Sequence, residues 1–306
     1  MTQVAYLPHP AADLLEPFLD AQMRPTTRRA YRSDLIGFFG TNLITVDQVQ
    51  VITIEDVERY RNDLAEEGVK PTTINRKLTS LRGFLRRCVA KGIIDRSPAD
   101  PALVKNYKTV SSTYGKAIAT EDVQRMMDLA QAHPNPLRAA RDFALITLLV
   151  HTGMRRSEAA GLRWADILTE GAHTVALLRD TKSGHEQHVK LTGAVREALQ
   201  ALSEAYGNQF DFVFVSLSKS MNYGGQCRPD TIRDICKEYG AKIGIDIGAH
   251  SFRHTCATLA FEGGAKPQQV QSHLRHRSLN TTMGYYEDRQ QLDDNAADYI
   301  LIGGKA

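Results

Sequence analysis

The sequence predicts a mainly α-helical protein with one small β-hairpin or sheet, divided into two units. Three observations lead to this class. Apolar residues recur at helical spacing over most of the 306 residues. The pattern changes to strand-like alternation between about residues 173 and 191. Near residue 100, a stretch rich in proline, serine and lysine has no periodicity at all.

That irregular stretch sets the predicted domain limits. We expect residues 1–100 to form a small helical domain, 101–116 a linker, and 117–306 a second domain that ends in a C-terminal tail. A chain of 306 residues is long for one domain and comfortable for two.

Composition restricts the class of protein further. The hydrophobic content of 42% and the charged content of 24% are typical of a soluble globular protein. No apolar run approaches the ~20 residues that span a bilayer, and the first residues lack the layout of a secretory signal. We therefore expect a cytoplasmic protein without a membrane partner. The four cysteines form no C-x-x-C pair, which predicts reduced thiols and neither a disulfide framework nor a metal site.

Basic residues gather on two predicted helices of the first unit. One helix, at 28–39, has three arginines near its start; the other, at about 72–90, lies in a stretch that has basic residues and no acid. A helix with one apolar face and one basic face suits the groove of a DNA duplex, although such faces are often only solvated. The candidate DNA-contacting residues are Arg28, Arg29, Arg32, Arg76, Lys77, Arg82, Arg86 and Arg87.

The second unit begins with a capped helix that starts near Thr120, and a strongly apolar helix is predicted after it at 139–150. A turn at Thr152-Gly153 follows, and a new helix starts at about Arg155 or Arg156. An arginine at this junction would be held tightly by the fold. Glu158, three residues later, lies on the same helix face.

A β-hairpin is predicted next, with strands at 173–179 and 186–191. Lys182 lies at its tip or on its shoulder. A lysine in such a place is often only a solvated charge, but its side chain can also reach into a neighbouring site.

Residues 250–286 carry groups that can handle a phosphodiester. His250 and Arg253 share one face of a helix predicted at 250–261, His276 follows a second helical segment, and Tyr285 comes nine residues later. Arginine binds phosphate oxygens bidentately, histidine transfers protons near neutral pH, and tyrosine can be a covalent nucleophile. Alone, the pattern also fits an ordinary helical core with surface charges.

Taken in order, these segments resemble the tyrosine recombinase (phage integrase) family, close to the Xer-like recombinases and the simple phage and transposon integrases. In the first unit, the Thr-x-x-x-Tyr-x-x-Asp-Leu pattern at 27–35 resembles the family's helical core-binding (SAM-like) domain, and the second unit resembles its catalytic domain. Five segments in the family's order and spacing are specific, although each alone is weak. They are Thr-Gly-Met-Arg155-Arg-Ser-Glu158, the hairpin Lys182, His250-x-x-Arg253-His, Leu-x-His276 and Thr-Thr-x-x-Tyr285.

The resemblance implies a catalytic set and a reaction. The implied reaction is site-specific DNA recombination, in which a tyrosine cleaves a strand through a 3′-phosphotyrosyl intermediate and strands are exchanged between two DNA sites. It needs no metal or other cofactor. Register favours Tyr285 as the nucleophile, with Tyr286 as the next candidate. The implied set is Arg155, Lys182, His250, Arg253, His276 and Tyr285, with Glu158 supporting Arg155 or a neighbouring histidine.

The implied partner is double-stranded DNA, bound by a homotetramer on two sites that is a monomer or weak dimer off DNA. A partner recombinase or an accessory protein is a further candidate, and the expected location is the cytoplasm, with the nucleoid. Two alternatives stay open: a related DNA-relaxing topoisomerase, and a sequence-specific DNA-binding protein with a decayed site. Arg275 stands where the family usually has glycine, and the sequence assigns no role to Arg275 or His273.

Overall fold

The computed structural model describes residues 12–108, 117–179, 186–218 and 223–286. Of residues 284–286 it describes only the backbone. Its chain divides into two compact units, Met1–Ser111 and Ser112–Ala306. The architecture is mainly helical with one small antiparallel sheet, which confirms the predicted fold class. Within the described ranges, every helix is too short or too polar to cross a bilayer.

The first unit is a helical bundle around one apolar core. Helix α1 packs on α2, and both α2 and α4 pack on α5. Threonines begin α3 and α4: the hydroxyls of Thr45 and Thr53 accept backbone N–H groups, while Gln48 and Asp56 accept the threonine N–H groups in return. The short α3 was absent from the sequence prediction. The helices are α1 (Leu15–Asp20), α2 (Pro25–Phe39), α3 (Val46–Gln50), α4 (Ile54–Glu66) and α5 (Pro71–Ala90).

Helix α5 supplies much of this core. Pro71 occupies its first turn, where a missing N–H removes no helical hydrogen bond. Leu78, Leu81 and Leu85 recur at helical spacing and are all buried. Arg76 and Arg86 lie at other positions of the same helix and are exposed. One stripe of α5 therefore faces the core while basic side chains occupy its outer surface.

Residues that follow α5 pack against the first unit. Ala99 and Val104 are fully buried in its core. The Asn75 side chain donates to the Tyr107 carbonyl at 2.9 Å and accepts the Tyr107 N–H at 3.0 Å. The part of the predicted linker up to Tyr107 is thus held by side chains of the first unit, which satisfy its backbone groups.

The second unit is built around α7. This helix packs against α6, α9 and α11, and its residues 144–150 are all buried, because a helix that is apolar on every side has to lie in the interior. It begins at Pro136, earlier than the sequence predicted, since the Asn135 side chain accepts the Arg138 N–H and caps it. The helices are α6 (Thr120–Gln131), α7 (Pro136–Thr152), α8 (Arg156–Gly161), α9 (Gly193–Tyr206), α10 (Pro229–Lys242), α11 (Ala249–Glu262), α12 (Pro267–Leu274) and α13 (Leu279–Tyr286).

An antiparallel sheet with the order β1-β2-β3 precedes α9, formed by β1 (Ile167–Glu170), β2 (His173–Leu178) and β3 (Gln187–Lys190). Ala176 at its centre pairs with Ile167 and with Val189. The predicted hairpin corresponds to β2 and β3. Strand β1 escaped prediction because it is short and largely exposed, so it lacks an alternating pattern.

A buried polar cluster ties α7 to α10. Arg141 Nε donates to Asp142 Oδ1 at 2.7 Å, and the Tyr239 hydroxyl on α10 donates to Asp142 Oδ2 at 3.0 Å. Arg141 also donates to the Val215 carbonyl at 3.3 Å. Both charges are buried and each has a partner, as buried ions require. Helix α8 in turn packs on α10, so this cluster holds in place the helix against which α8 packs.

Candidate active site

The turn between α7 and α8 positions Arg155. This arginine directly precedes α8, and Glu158 holds it at two points. The Glu158 carboxylate accepts the Arg155 backbone N–H through Oε2 at 2.8 Å and Nη1 through Oε1 at 2.6 Å. The Arg155 side chain is still 32% exposed. The guanidinium is therefore anchored on one side and accessible on the other.

Gly153 allows three elements to meet at this turn. It ends α7 with φ 55°, in the left-handed region that favours glycine. A Cβ at this position would collide with Cδ2 of Leu274, the last residue of α12, and would lie 3.4 Å from Sγ of Cys256 on α11. Only a residue without a side chain lets α11 and α12 pack this closely onto the turn.

Arg253 on α11 joins the same elements through hydrogen bonds. Its side chain is buried, with 2% of the residue exposed. Nη1 donates to the Gly153 carbonyl at 2.6 Å and Nη2 donates to the Leu274 carbonyl. Hydrogen bonds from a charged donor are strong, so Arg253 is held rigidly between the end of α7 and the end of α12.

His250 lies in the first turn of α11, one helical turn before Arg253. The pKa of His250 is lowered, first by desolvation and then by the positive charges of Arg253 and Arg155. Its imidazole is therefore predominantly neutral at pH 7, the form that can accept a proton.

His276 follows α12 and is anchored by α13. Its Nδ1 lies 2.9 Å from Oγ1 of Thr282, which is completely buried. Desolvation lowers the pKa of His276 to about 4, and the charges of Arg253, Arg155 and Arg275 lower it in the same direction. Thr282 belongs to the Thr-Thr-x-x-Tyr285 segment, but its contact with His276 could not be predicted, because it depends on how α13 folds back.

Four residues of the predicted catalytic set thus converge. One cavity of about 620 Å³ is lined by Arg155, His250 and Arg253, and another of about 1020 Å³ by Arg155 and His276. Because Arg155 lines both, the two cavities adjoin. Both guanidiniums also lower the pKa of both imidazoles. A phosphodiester bound here would meet two cations and two imidazoles.

Lys182 and Tyr285 are the remaining members of the predicted set. Lys182 falls within 180–185, outside the described residues. Tyr285 belongs to α13, whose backbone packs against α11 and α12, the helices that carry or precede the two histidines.

The basic residues of the first unit differ in their surroundings. Arg28, Arg29 and Arg86 are exposed, whereas Lys77 and Arg87 are half-buried. Arg32 pairs with Glu16, and Arg76 pairs with Asp34. Apart from Arg82, each side chain of this group remains at least partly accessible to a partner.

Arg82 does not have the accessible position that the other predicted DNA-contacting residues have. Arg82 is buried, and its guanidinium donates to the carbonyls of Ala99 and Val104 at 2.9 and 2.6 Å and to Asn106 Oδ1 at 2.7 Å. These acceptors lie on the segment that returns over α5. Helical spacing groups Arg82 with the basic residues, but it cannot reveal that a later segment covers this side chain.

Comparison with known proteins identifies relatives for both units. Residues 116–291 match the Phage integrase family, and residues 16–92 match the Phage integrase N-terminal SAM-like domain. The tyrosine recombinase XerC of Corynebacterium efficiens is 31% identical over 268 residues, covering 85% of this chain and 80% of the relative. The tyrosine recombinase XerD of Rhizobium meliloti is 31% identical over 242 residues, covering 76% and 75%.

A solved structure has the same fold. The XerH site-specific recombinase, bound to a palindromic difH substrate, superposes with a TM-score of 0.70 at 20% identity, covering 89% of this chain and 79% of that one.

The fold and the site together define a two-unit helical protein whose second unit brings two arginines and two histidines together at adjoining cavities. The matched residues assign it more narrowly: the chain belongs to the phage integrase family of tyrosine recombinases. It is an enzyme that cleaves and rejoins DNA strands and exchanges them between sites, and DNA is its partner.

Proposed function

We propose that Arg155, Arg253 and His276 bind the scissile phosphate of a DNA duplex. The observation that supports this is the convergence of these side chains, with His250, on adjoining cavities. The phosphate gains negative charge during an in-line displacement, and groups fixed in advance stabilise that charge without reorganisation. Arg253 is held by two carbonyls and Arg155 by Glu158, so both guanidiniums are preorganised.

His276 contributes a neutral hydrogen-bond donor. With a pKa of about 4, the ring carries one proton at neutral pH. When the Thr282 hydroxyl donates to Nδ1, that proton lies on Nε2, which then donates to a non-bridging phosphate oxygen. Thr282 thus fixes both the tautomer and the orientation of the ring. A hydrogen-bond partner on the second ring nitrogen has the same effect on a metal-bound histidine.

Tyr285 is the proposed nucleophile. Its phenolic oxygen bonds to phosphorus while the bond to the 5′-oxygen breaks, which leaves a 3′-phosphotyrosyl bond and a 5′-hydroxyl. A phenol with an ordinary pKa of about 10 needs a base, and neutral His250 is the acceptor for its proton. Lys182 donates a proton to the leaving 5′-oxygen. The phosphotyrosine conserves the bond energy, so a 5′-hydroxyl from another strand can reverse the step and exchange the strands.

Exchange between two sites requires one active site for each cleaved strand. We therefore infer a homotetramer on two DNA sites that is a monomer or weak dimer off DNA, with a partner recombinase or an accessory protein as an additional component. A DNA substrate would place the enzyme with the nucleoid, in the cytoplasm. Sedimentation with and without duplex DNA tests the assembly: a complex that never exceeds one protomer per site contradicts it.

The first unit would add contacts to the DNA backbone. Each phosphate neutralised by a basic side chain steepens the dependence of affinity on salt by roughly one unit in the log–log slope. Substitution of exposed Arg86 by alanine should remove about one such unit. The candidates are Arg28, Arg29, Arg32, Arg76, Lys77, Arg86 and Arg87.

Covalent trapping tests the assignment of the nucleophile. A duplex enriched from a randomised library for binding to the wild-type protein is nicked, so that the cleaved fragment diffuses away and religation is prevented. Wild-type protein should form an adduct that survives denaturing electrophoresis. Tyr285→Phe should form none, and the matched control Tyr286→Phe should still form it. An adduct with Tyr285→Phe would assign the attack to another residue.

The same preparation distinguishes the alternatives. Relaxation of any supercoiled plasmid by the monomer, without a defined site, would indicate a topoisomerase. Tight binding to the enriched duplex without any adduct would indicate a DNA-binding protein whose site has decayed.

A further inference from the structure

Arg275, the residue after α12, has a backbone conformation that arginine rarely adopts. Its φ and ψ are 58° and 45°, in the left-handed region. Glycine is favoured there because a Cβ is strained, and a non-glycine residue is usually asparagine or aspartate. Arg275 also occupies the place where the family pattern has glycine. This position therefore combines backbone strain with a long cationic side chain.

The Arg275 side chain is buried, with 4% exposed. Nη1 donates to the His273 carbonyl at 2.8 Å and Nη2 donates to Glu158 Oε2 at 2.9 Å. Nε is buried as well and has no acceptor among the described residues. A buried donor without a partner is unfavourable, so this position carries two unfavourable features. Such features are retained mainly where a site requires them.

Glu158 connects Arg275 to Arg155. Its Oε1 accepts from Arg155 Nη1, while its Oε2 accepts from the Arg155 backbone N–H and from Arg275 Nη2. Burial raises the pKa of Glu158, but the charge of Arg275 and the bonds from Arg155 outweigh this effect and lower it. One ionised carboxylate is thus shared by two guanidiniums, and the three groups carry a net charge of +1. With glycine at 275 the remaining pair would be neutral.

We propose that Arg275 is a positioning residue for the phosphate site, which fixes the Glu158 carboxylate so that Arg155 stays aimed at the phosphate and which leaves this wall of the cavity positively charged. The inference rests on the proposed function of Arg155. Arg275 lines the cavity that Arg155 and His276 share, yet its burial makes it act through Glu158. Without Arg275, the negative charge of Glu158 would balance the positive charge of Arg155, and Arg155 would bind an anion less tightly.

A purely structural role makes a different prediction. If Arg275 only terminated α12, glycine would serve equally well, because it fits the left-handed conformation without strain. Four variants separate the two roles: Arg275→Gly relieves the backbone, Arg275→Met keeps the length without charge, Arg275→Lys keeps the charge, and Lys266→Met removes one exposed charge at the other end of α12.

Inorganic phosphate tests the inference without DNA. Its binding is followed by NMR titration at low ionic strength, and the component lost in Arg155→Ala is assigned to the site. We expect at least fivefold weaker binding in Arg275→Met and Arg275→Gly, and near wild-type binding in Arg275→Lys and Lys266→Met. Unchanged phosphate affinity in the methionine and glycine variants would overturn the proposal, whatever the DNA assay shows.

Cleavage supplies the second readout. Under single-turnover conditions on the nicked duplex, Arg275→Met and Arg275→Gly should form the adduct about tenfold more slowly or worse, with duplex affinity within about twofold of wild type. Arg275→Lys should recover most of the rate. Equal rates in all variants, or a loss in Arg275→Lys as large as in Arg275→Met, would overturn it. Absence of any adduct with wild-type protein would contradict the proposed function instead, and the phosphate titration would still decide the role of Arg275.

Discussion

Replacement of His276 by asparagine should flatten the acid side of the stability profile. The wild-type ring is desolvated and surrounded by arginines, so its pKa in the folded protein is about 4, against an ordinary value of 6.5. Between these two values the unfolded chain binds a proton that the folded protein does not. The contribution of His276 to the free energy of unfolding is therefore fully present above pH 6.5 and is lost as the pH falls towards 4. Asparagine retains hydrogen-bonding capacity towards Thr282 but does not titrate.

The magnitude follows from the two pKa values. Proton linkage with 6.5 in the unfolded chain and about 4 in the folded protein gives a loss of about 2 kcal/mol in the free energy of unfolding between pH 7 and pH 5. Residual solvation of the half-buried ring reduces this to about 1–2 kcal/mol. His151, His250 and His273 also have lowered pKa values, so the variant should retain part of the slope.

Urea denaturation at pH 7 and pH 5 measures this difference. Trp164 is the single tryptophan of the chain and packs at the edge of the second unit's core, so its fluorescence reports on the unit that contains His276. His173, which is exposed at the start of β2, provides the matched control: His173→Asn should keep the wild-type pH dependence. The variants are compared by the change in their free energy of unfolding between pH 7 and pH 5, because the substitution also alters packing and thereby changes the stability at each pH.

Parallel behaviour of the wild type and His276→Asn would refute the reasoning. It would mean that the ring keeps its ordinary pKa in the folded protein, so burial and the neighbouring arginines would not be what holds His276 neutral.

Three further substitutions test the packing around the site and in the first unit. Gly153→Ala should destabilise the second unit by about 2–4 kcal/mol, because the new Cβ meets Leu274 and φ is positive; an unchanged urea midpoint of Trp164 fluorescence would contradict the close packing. Tyr239→Phe should cost about 1–2 kcal/mol by the same measurement, since buried Asp142 loses a hydrogen bond; a smaller cost than that of an exposed substitution would count against the cluster. Arg82→Met should destabilise the first unit by about 2–4 kcal/mol in circular dichroism melts and leave the salt slope of DNA binding unchanged; a shallower slope would restore the DNA contact.

The sequence was most informative where patterns are local. The apolar spacing of α5 and α7 predicted two central helices. Strand β1 and helix α3 were missed because elements of four and five residues are too short to show a periodic pattern. Spacing also could not show that Arg82 is buried, because periodicity describes a helix before any other segment covers it.

For the site, the sequence by itself determined which chemical groups are present and in what order: two arginines, two histidines, a lysine and a tyrosine at the family's spacing. Order along a chain does not fix distance in space. Only the tertiary structure brought Arg155 beside Arg253, about a hundred positions later, because Gly153 lets α11 and α12 close onto one turn. It also decided the protonation of His276 and the partners of Arg275, since burial and neighbouring charge exist only after the chain has folded.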